Sequence, residues 1–146
     1  MTVEKRKAYA GFRARSICSI AKIKPDRLRT WHSRGVFADP PGHRGPAWRG
    51  YSEAEAVRIF LLAELLRLDV ATASAATISA AILQRTSMRE LLSEAQAFIV
   101  GSAPGSALSE AFTISFQPPP AAIGSGYIVL DLRRLRAMHA ALLRDQ

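Results

Sequence analysis

The sequence predicts a mainly α protein in two parts. Two short helices, a tight turn and a wing-like loop come first, and a small α+β module with two or three short strands and a terminal helix comes last. Three observations predict it. Residues 16–51 (SICSIAKIKPDRLRTWHSRGVFADPPGHRGPAWRGY) read as two short helices followed by a Pro/Gly-rich loop. Residues 52–85 keep apolar side chains at helical spacing, and beyond residue 96 the pattern changes to short β-favouring runs separated by turn-forming clusters. The basic charge is confined to the first third: twelve Lys and Arg face three acids over residues 1–51, a net of +9, whereas eight Arg face nine acids from Ser52 onward, a net of −1. Such segregation is the footprint of a surface for a polyanion, because each phosphate neutralised releases condensed counterions.

Composition narrows the classes. With 49% apolar and 22% charged residues in 146, the chain is apolar enough to fold around a core. The single cysteine, Cys18, excludes a disulfide framework within one chain and a zinc site built from Cys pairs. Apolar stretches are interrupted by Glu64, Arg67 and Asp69, short of the roughly 20 residues a bilayer span needs. The basic N-terminus lacks the apolar core of a signal peptide, so a cytoplasmic, nucleoid-associated protein with no membrane partner is expected.

The run Glu4-Lys5-Arg6-Lys7, with Arg13 and Arg15 after it, reads either as a solvated tail or as an arm that tracks phosphates. Ser16 stands where an N-cap belongs, ahead of Ile17, Ile20 and Ala21 at helical spacing, with Cys18 packed as a small apolar side chain. Ile23 and Lys24 make the turn. Pro25 suits the first position of a second helix over 25–34, since its missing N–H would be unpaired there anyway. Leu28 and Trp31 mark the buried face of that helix, and Lys24, Arg27, Thr30 and Arg34 spread over the opposite side. Gly35 ends it, and Val36 and Phe37 return to the core. Residues 39–50 contain six Gly and Pro, which excludes a helix and leaves a hairpin-like wing carrying His43, Arg44 and Arg49. Trp48 is open between core packing and stacking on bases. Ser52-x-x-Glu55 is a capping box for a helix covered from two sides over 57–68; Asp69 and Val70 break it, and an Ala-rich helix follows over 72–85.

The order Ile-x-x-x-x-Leu-Arg-x-Trp-x-x-x-Gly-Val (Ile23, Leu28, Arg29, Trp31, Gly35, Val36), followed by Trp48-Arg49-Gly50-Tyr51-Ser52, resembles the DNA-binding module of the MerR family of winged helix-turn-helix regulators. The resemblance covers about residues 16–85, and similar modules occur in phage excisionases and small subunits of phage terminases. It implies that Arg27, Arg29 and their neighbours enter the major groove while Arg49 and Tyr51 hold the wing on phosphates. The chain departs from the family in three ways. Arg27 stands where the family often has Thr, the wing is rich in Pro, and Asp69 stands where Gly is common before the fourth helix.

In the C-terminal part, residues 87–96 suit a short helix with Met88, Leu91 and Leu92 on one face, and strands are expected over 97–100, 111–116 and 127–130. Asp131 is placed as N-cap of a last helix reaching 144, with Leu132, Leu135, Met138 or His139, and Leu142 inward and Arg133, Arg134 and Arg136 in water. So thin a core, with sheet edges to cover, is expected to pair with a second copy through residues 97–146. MerR regulators dimerise through a long C-terminal coiled coil, and no sustained heptad repeat is present here.

Catalysis finds little support. His32, His43 and His139 fall in three separate elements with no Cys or carboxylate partner at ligand spacing, so no metal or cofactor is expected and the protein is read as a non-enzyme. Gly124-x-Gly126 precedes a strand instead of following one, which makes it a turn. The expectation is a domain over 1–86 that binds double-stranded DNA and a module over 87–146 for dimerisation or a partner protein, together a sequence-specific transcriptional regulator acting as a homodimer. A phage or mobile-element DNA-architectural component, of excisionase or terminase small-subunit type, is the alternative. The DNA-binding set is Arg15, Lys24, Arg27, Arg29, Thr30 and Arg34, with His43, Arg44, Arg49 and Tyr51 on the backbone or minor groove.

Overall fold

The computed structural model describes residues 11–37, 50–101, 112–119 and 127–145. Helices take up 61% of them, and three antiparallel strands form one small sheet. The tail over 1–10 and the wing expected over 39–50, except Gly50, lie outside the described residues.

Before the first helix the chain is extended. Phe12 and Tyr51 exchange two backbone hydrogen bonds of 2.8 Å each, an antiparallel bridge that closes residues 12–51 into a loop. Helix α1, Ala14–Ala21, starts directly from that bridge with Arg13 as its N-cap and no capping side chain. Ser16, expected as the cap, therefore lies inside the first turn: the bridge sets the start three residues earlier than the hydroxyl suggested. Lys22 ends α1 in the left-handed conformation at φ 58°, and Lys24 leads into α2, Pro25–Ser33, with Pro25 at its first position as expected. Gly35 takes φ +72°, which only a residue without a Cβ adopts freely, and Phe37 turns inward against Trp31 in an edge-on ring contact of 6.1 Å.

Helix α3, Glu53–Arg67, opens on the foreseen capping box, with Ser52 N–H donating to Glu55 Oε1 at 2.9 Å and Glu55 N–H to Ser52 Oγ at 3.1 Å. Val57, Ile59, Phe60, Leu61, Leu62 and Leu65 are all buried, too many for one face, so the helix is enclosed on several sides. Asp69 breaks it at φ 64°, the left-handed setting in which glycine is unstrained. Helix α4, Thr72–Arg85, follows with Ile78 and Ile82 buried. Helix α5, Met88–Ser93, carries a second capping box at Ser87 and Glu90 and stops short of the expected residue 96, because Gln96 already pairs with Asp131.

The sheet has the order β2–β1–β3, with β1 Gln96–Gly101, β2 Phe112–Ser115 and β3 Tyr127–Asp131. Both neighbours run antiparallel to β1; Phe98 faces Ser115 on one side and Val129 on the other. Helix α6, Leu132–Arg144, begins with no loop after β3. Asp131 serves as its cap, accepting from Arg133 N–H at 3.0 Å. Partial burial pushes this carboxyl up, but hydrogen bonds from the Arg133 backbone and guanidinium outweigh that and hold it below its ordinary range.

The described residues pack as two compact units. One comprises those up to Phe60 with those from Met138 on; the other is Leu61–Ala137. In the first, Ile17, Leu28, Trp31, Tyr51, Val57 and Leu142 are buried. In the second, Leu65, Ile82, Leu91, Ile99, Leu130 and Leu135 are buried. No helix among the described residues is long and apolar enough to cross a membrane.

Two left-handed positions make opposite predictions. A Cβ on Gly50, at φ +144°, would lie 2.5 Å from Phe12 O, so Gly50→Ala lowers stability by more than about 1 kcal/mol in urea unfolding. Asp69→Gly, at φ 64°, leaves stability unchanged or raises it by up to about 1 kcal/mol in the same experiment.

Candidate nucleic-acid interface

Leu28 and Trp31 dock α2 from one side, which turns the rest of the helix outward. Arg27, Thr30 and Arg34, spaced by three and four residues, form one exposed stripe, with Arg29 farther round the helix. Lys24, at the N-cap, is exposed, as is Arg15 on α1. Arg13 and Lys22, at the two ends of α1, are exposed too. Between Gly11 and Phe37 the chain thus has seven basic residues, all exposed, against one acid, a net of +6.

Two of these side chains have local attachments that shape what they can do. Arg29 donates to the exposed Asp26 one turn earlier at 2.5 Å, so part of its charge is neutralised in place. The guanidinium carbon of Arg27 lies 5.6 Å from the centroid of the Trp31 ring, a cation–π contact made by an exposed side chain. Thr30 Oγ1 donates to Asp26 O at 2.9 Å, which leaves the lone pairs of the hydroxyl on the helix surface.

Tyr51 does not fit its expected place. It is 3% exposed, with its hydroxyl 2.6 Å from His32 Nε2, so the family-derived reading of a phosphate contact is replaced by a buried anchor. The ring is held from behind by the bridge to Phe12, and the hydroxyl reaches across to α2. His32 is half-buried, with its ring 5.2 Å from Phe37 and 5.6 Å from Tyr51. Arg58 completes the cluster: its guanidinium lies 4.9 Å over Phe37 and donates to Val36 O at 3.1 Å. Burial pushes Arg58 down from its ordinary value, although a guanidinium keeps its charge in such a setting. His43, Arg44, Arg49 and Trp48 lie outside the described residues.

Sequence reasoning missed Arg13 and Lys22 as members of the exposed basic set and the whole Tyr51–His32 link. The first two were in the charge count, but a helix start at Ser16 put Arg13 in the tail and left Lys22 as an unassigned turn residue. The link has no sequence signal, because the two residues are 19 apart and meet only once the bridge forms. His139, the other described histidine, meets Glu53 at 3.0 Å and is far in sequence from either.

No known protein family matches the chain, and no curated protein matches it.

Cys18 is buried in α1, and desolvation pushes its thiol up from the ordinary value. A neutral disulfide reagent at pH 7 is therefore expected to leave the native chain untouched and, once denaturant unfolds it, to form one mixed disulfide per chain with release of one reagent thiol. Fast labelling of the folded protein would contradict the packing of α1.

Proposed function

We propose that the N-terminal unit binds double-stranded DNA, with the Arg27–Thr30–Arg34 stripe of α2 in the major groove and Arg13, Arg15, Lys22 and Lys24 on flanking phosphates. The observation that carries this is the run of seven exposed cations on two adjoining short helices, with Asp26 as the sole acid between Gly11 and Phe37. A helix of nine residues held by its apolar side is the size of element that a major groove admits, and Arg, Thr and Lys are the side chains that read base edges and phosphates there. The resemblance of residues 16–85 to MerR-type modules points the same way, and a sequence-specific regulator is the reading it favours. Release of counterions is the driving force, so the logarithm of affinity falls nearly linearly with the logarithm of salt concentration.

Two substitutions on α2 separate the roles. Arg27→Ala weakens binding by about 1–3 kcal/mol and relaxes base preference at one position. Asp26→Asn releases Arg29 from its local ion pair, so it tightens binding to all duplexes and steepens the salt dependence. Fluorescence anisotropy over a salt series, with a motif recovered from a random duplex library, measures both. Binding that ignores salt, or an unchanged affinity in both variants, overturns the assignment.

Pairing of two copies through residues 97–146 is part of the same proposal. The sheet has β2 and β3 at its edges, and Tyr127 on β3 is 48% exposed. The edge of β2 is partly covered, since Arg85 donates to Phe112 O at 2.7 Å and stacks on the same ring at 4.6 Å. Light scattering at micromolar concentration is expected to give twice the chain mass of 15.9 kDa; a monomer there removes the dimer from the proposal.

A further inference from the structure

We propose that His32 and Tyr51 are positioning residues that set the rotation of α2 for reading bases, and so govern discrimination between DNA sequences more than overall affinity. The inference rests on the DNA-binding reading above and names which residues of that site confer its selectivity. It is carried by one juxtaposition: the Nε2 of a recognition-helix histidine lies 2.6 Å from the hydroxyl of a tyrosine locked in a backbone bridge.

Helix α2 is otherwise held by Leu28 and Trp31, and apolar contacts of that kind are non-directional. They keep the helix down but resist a small rotation weakly. A hydrogen bond between side chains is directional, and its partner here has no freedom to follow. Two 2.8 Å backbone bonds to Phe12 pin Tyr51, and Gly50 and Gly11 approach so closely that a Cβ on either would meet backbone within 3 Å. His32 therefore ties the C-terminal turn of α2 to a fixed point. That point adjoins Gly50. The ring of Phe37, 5.2 Å from the imidazole and itself covered by the guanidinium of Arg58, limits the swing of His32.

Selectivity feels this constraint more than affinity does because the two kinds of contact have different ranges. Attraction between exposed cations and phosphates decays over a Debye length of about 8–10 Å, and long Arg and Lys stems absorb a small displacement of the helix. Hydrogen bonds to base edges need donor and acceptor within about 0.3 Å of their best separation, so a slight rotation of the Arg27–Thr30–Arg34 stripe breaks them. His32 and Tyr51 need not touch DNA, and the burial of Tyr51 keeps it away from solvent.

The test compares the parent chain with Tyr51→Phe, His32→Leu and His32→Gln on a motif duplex recovered by the parent and on a scrambled duplex of the same length. Glutamine places an amide where the imidazole Nε2 was and can meet the tyrosine hydroxyl; leucine cannot. The expected result is a loss of roughly five- to tenfold in motif affinity for Tyr51→Phe and His32→Leu, the size of one hydrogen bond. Scrambled-duplex affinity and the salt slope change less than about twofold, and His32→Gln restores most of the preference. Circular dichroism and the unfolding midpoint of each variant are recorded alongside. Should Tyr51→Phe fail to fold, the contrast between His32→Leu and His32→Gln decides. Equal losses on both duplexes, no loss on either, or a glutamine variant as unselective as the leucine one overturns the positioning role while leaving DNA binding standing. A parent that selects no motif and binds without salt dependence overturns the DNA-binding reading itself.

Discussion

The bridge between Phe12 and Tyr51 is the constraint on which the N-terminal unit depends. It joins the residue before the N-cap of α1 to the residue before the capping box of α3, so two helices take their starting points from one pair of backbone hydrogen bonds. The approach is possible because Gly11 and Gly50 lack side chains; a Cβ at Gly50 would lie 2.5 Å from a carbonyl oxygen. Tyr51 then projects a ring and a hydroxyl from this fixed point into the unit, where it meets His32. Trp31, Phe37 and Arg58 pack around the same place, and Phe37 ends up between a histidine ring and a guanidinium. The exposed face of α2 is thus defined from the inside, by a polar contact and aromatic packing on its hidden side.

The second unit solves a different problem, how to bury a small sheet. Ala97, Phe98, Ile99 and Val100 of β1 are all buried, so both faces of the central strand are covered. Such a strand reads as a continuous apolar run and gives no alternation to follow. Glu64 is the buried charged residue among the described residues of this unit, 7% exposed, with its Oε2 accepting from Arg67 at 2.7 Å and from Arg134 at 3.1 Å. Both guanidiniums stay half in water, which reduces the desolvation cost of the group and makes the contact one of orientation more than of stability. Glu64 fixes the start of α6 relative to the end of α3 within this unit.

Local signals in the sequence carried a large share of the fold. Pro25, Gly35, the Ser52 capping box and the bounds of α4 follow from chemistry confined to four or five neighbouring residues, and the structure places each where that chemistry requires. Asp69 is instructive in the same way, because its departure from the glycine common in MerR-type modules coincides with a left-handed backbone. What failed was decided at long range. The start of α1 is set by a partner 39 positions away, not by Ser16, and Gln96 leaves α5 because it pairs with Asp131. For the site, exposure of Lys24, Arg27, Arg29, Thr30 and Arg34 was legible from the apolar positions Leu28 and Trp31. The inward turn of Tyr51 was not, since tyrosine suits a buried and a phosphate-contacting position equally well until a partner for its hydroxyl is known.

Arginine content alone would have misled. From Ser52 onward the chain has eight arginines, and in the structure most are already committed: Arg67 and Arg134 to Glu64, Arg133 to Asp131, Arg136 to Glu94 O, Arg85 to Phe112 O, and Arg58 to Val36 O. A cation that already has an acceptor gains little from a phosphate, because it must first give up the contact it has. Between Gly11 and Phe37 the sequence itself withholds acceptors, offering one carboxylate to seven cations. Mutual repulsion among those seven disfavours the compact state, so under the DNA-binding proposal the same imbalance that weakens the free unit would drive its association with a polyanion. The local scarcity of acids, more than the abundance of bases, therefore separates the proposed interface from a set of internal fastenings in this chain.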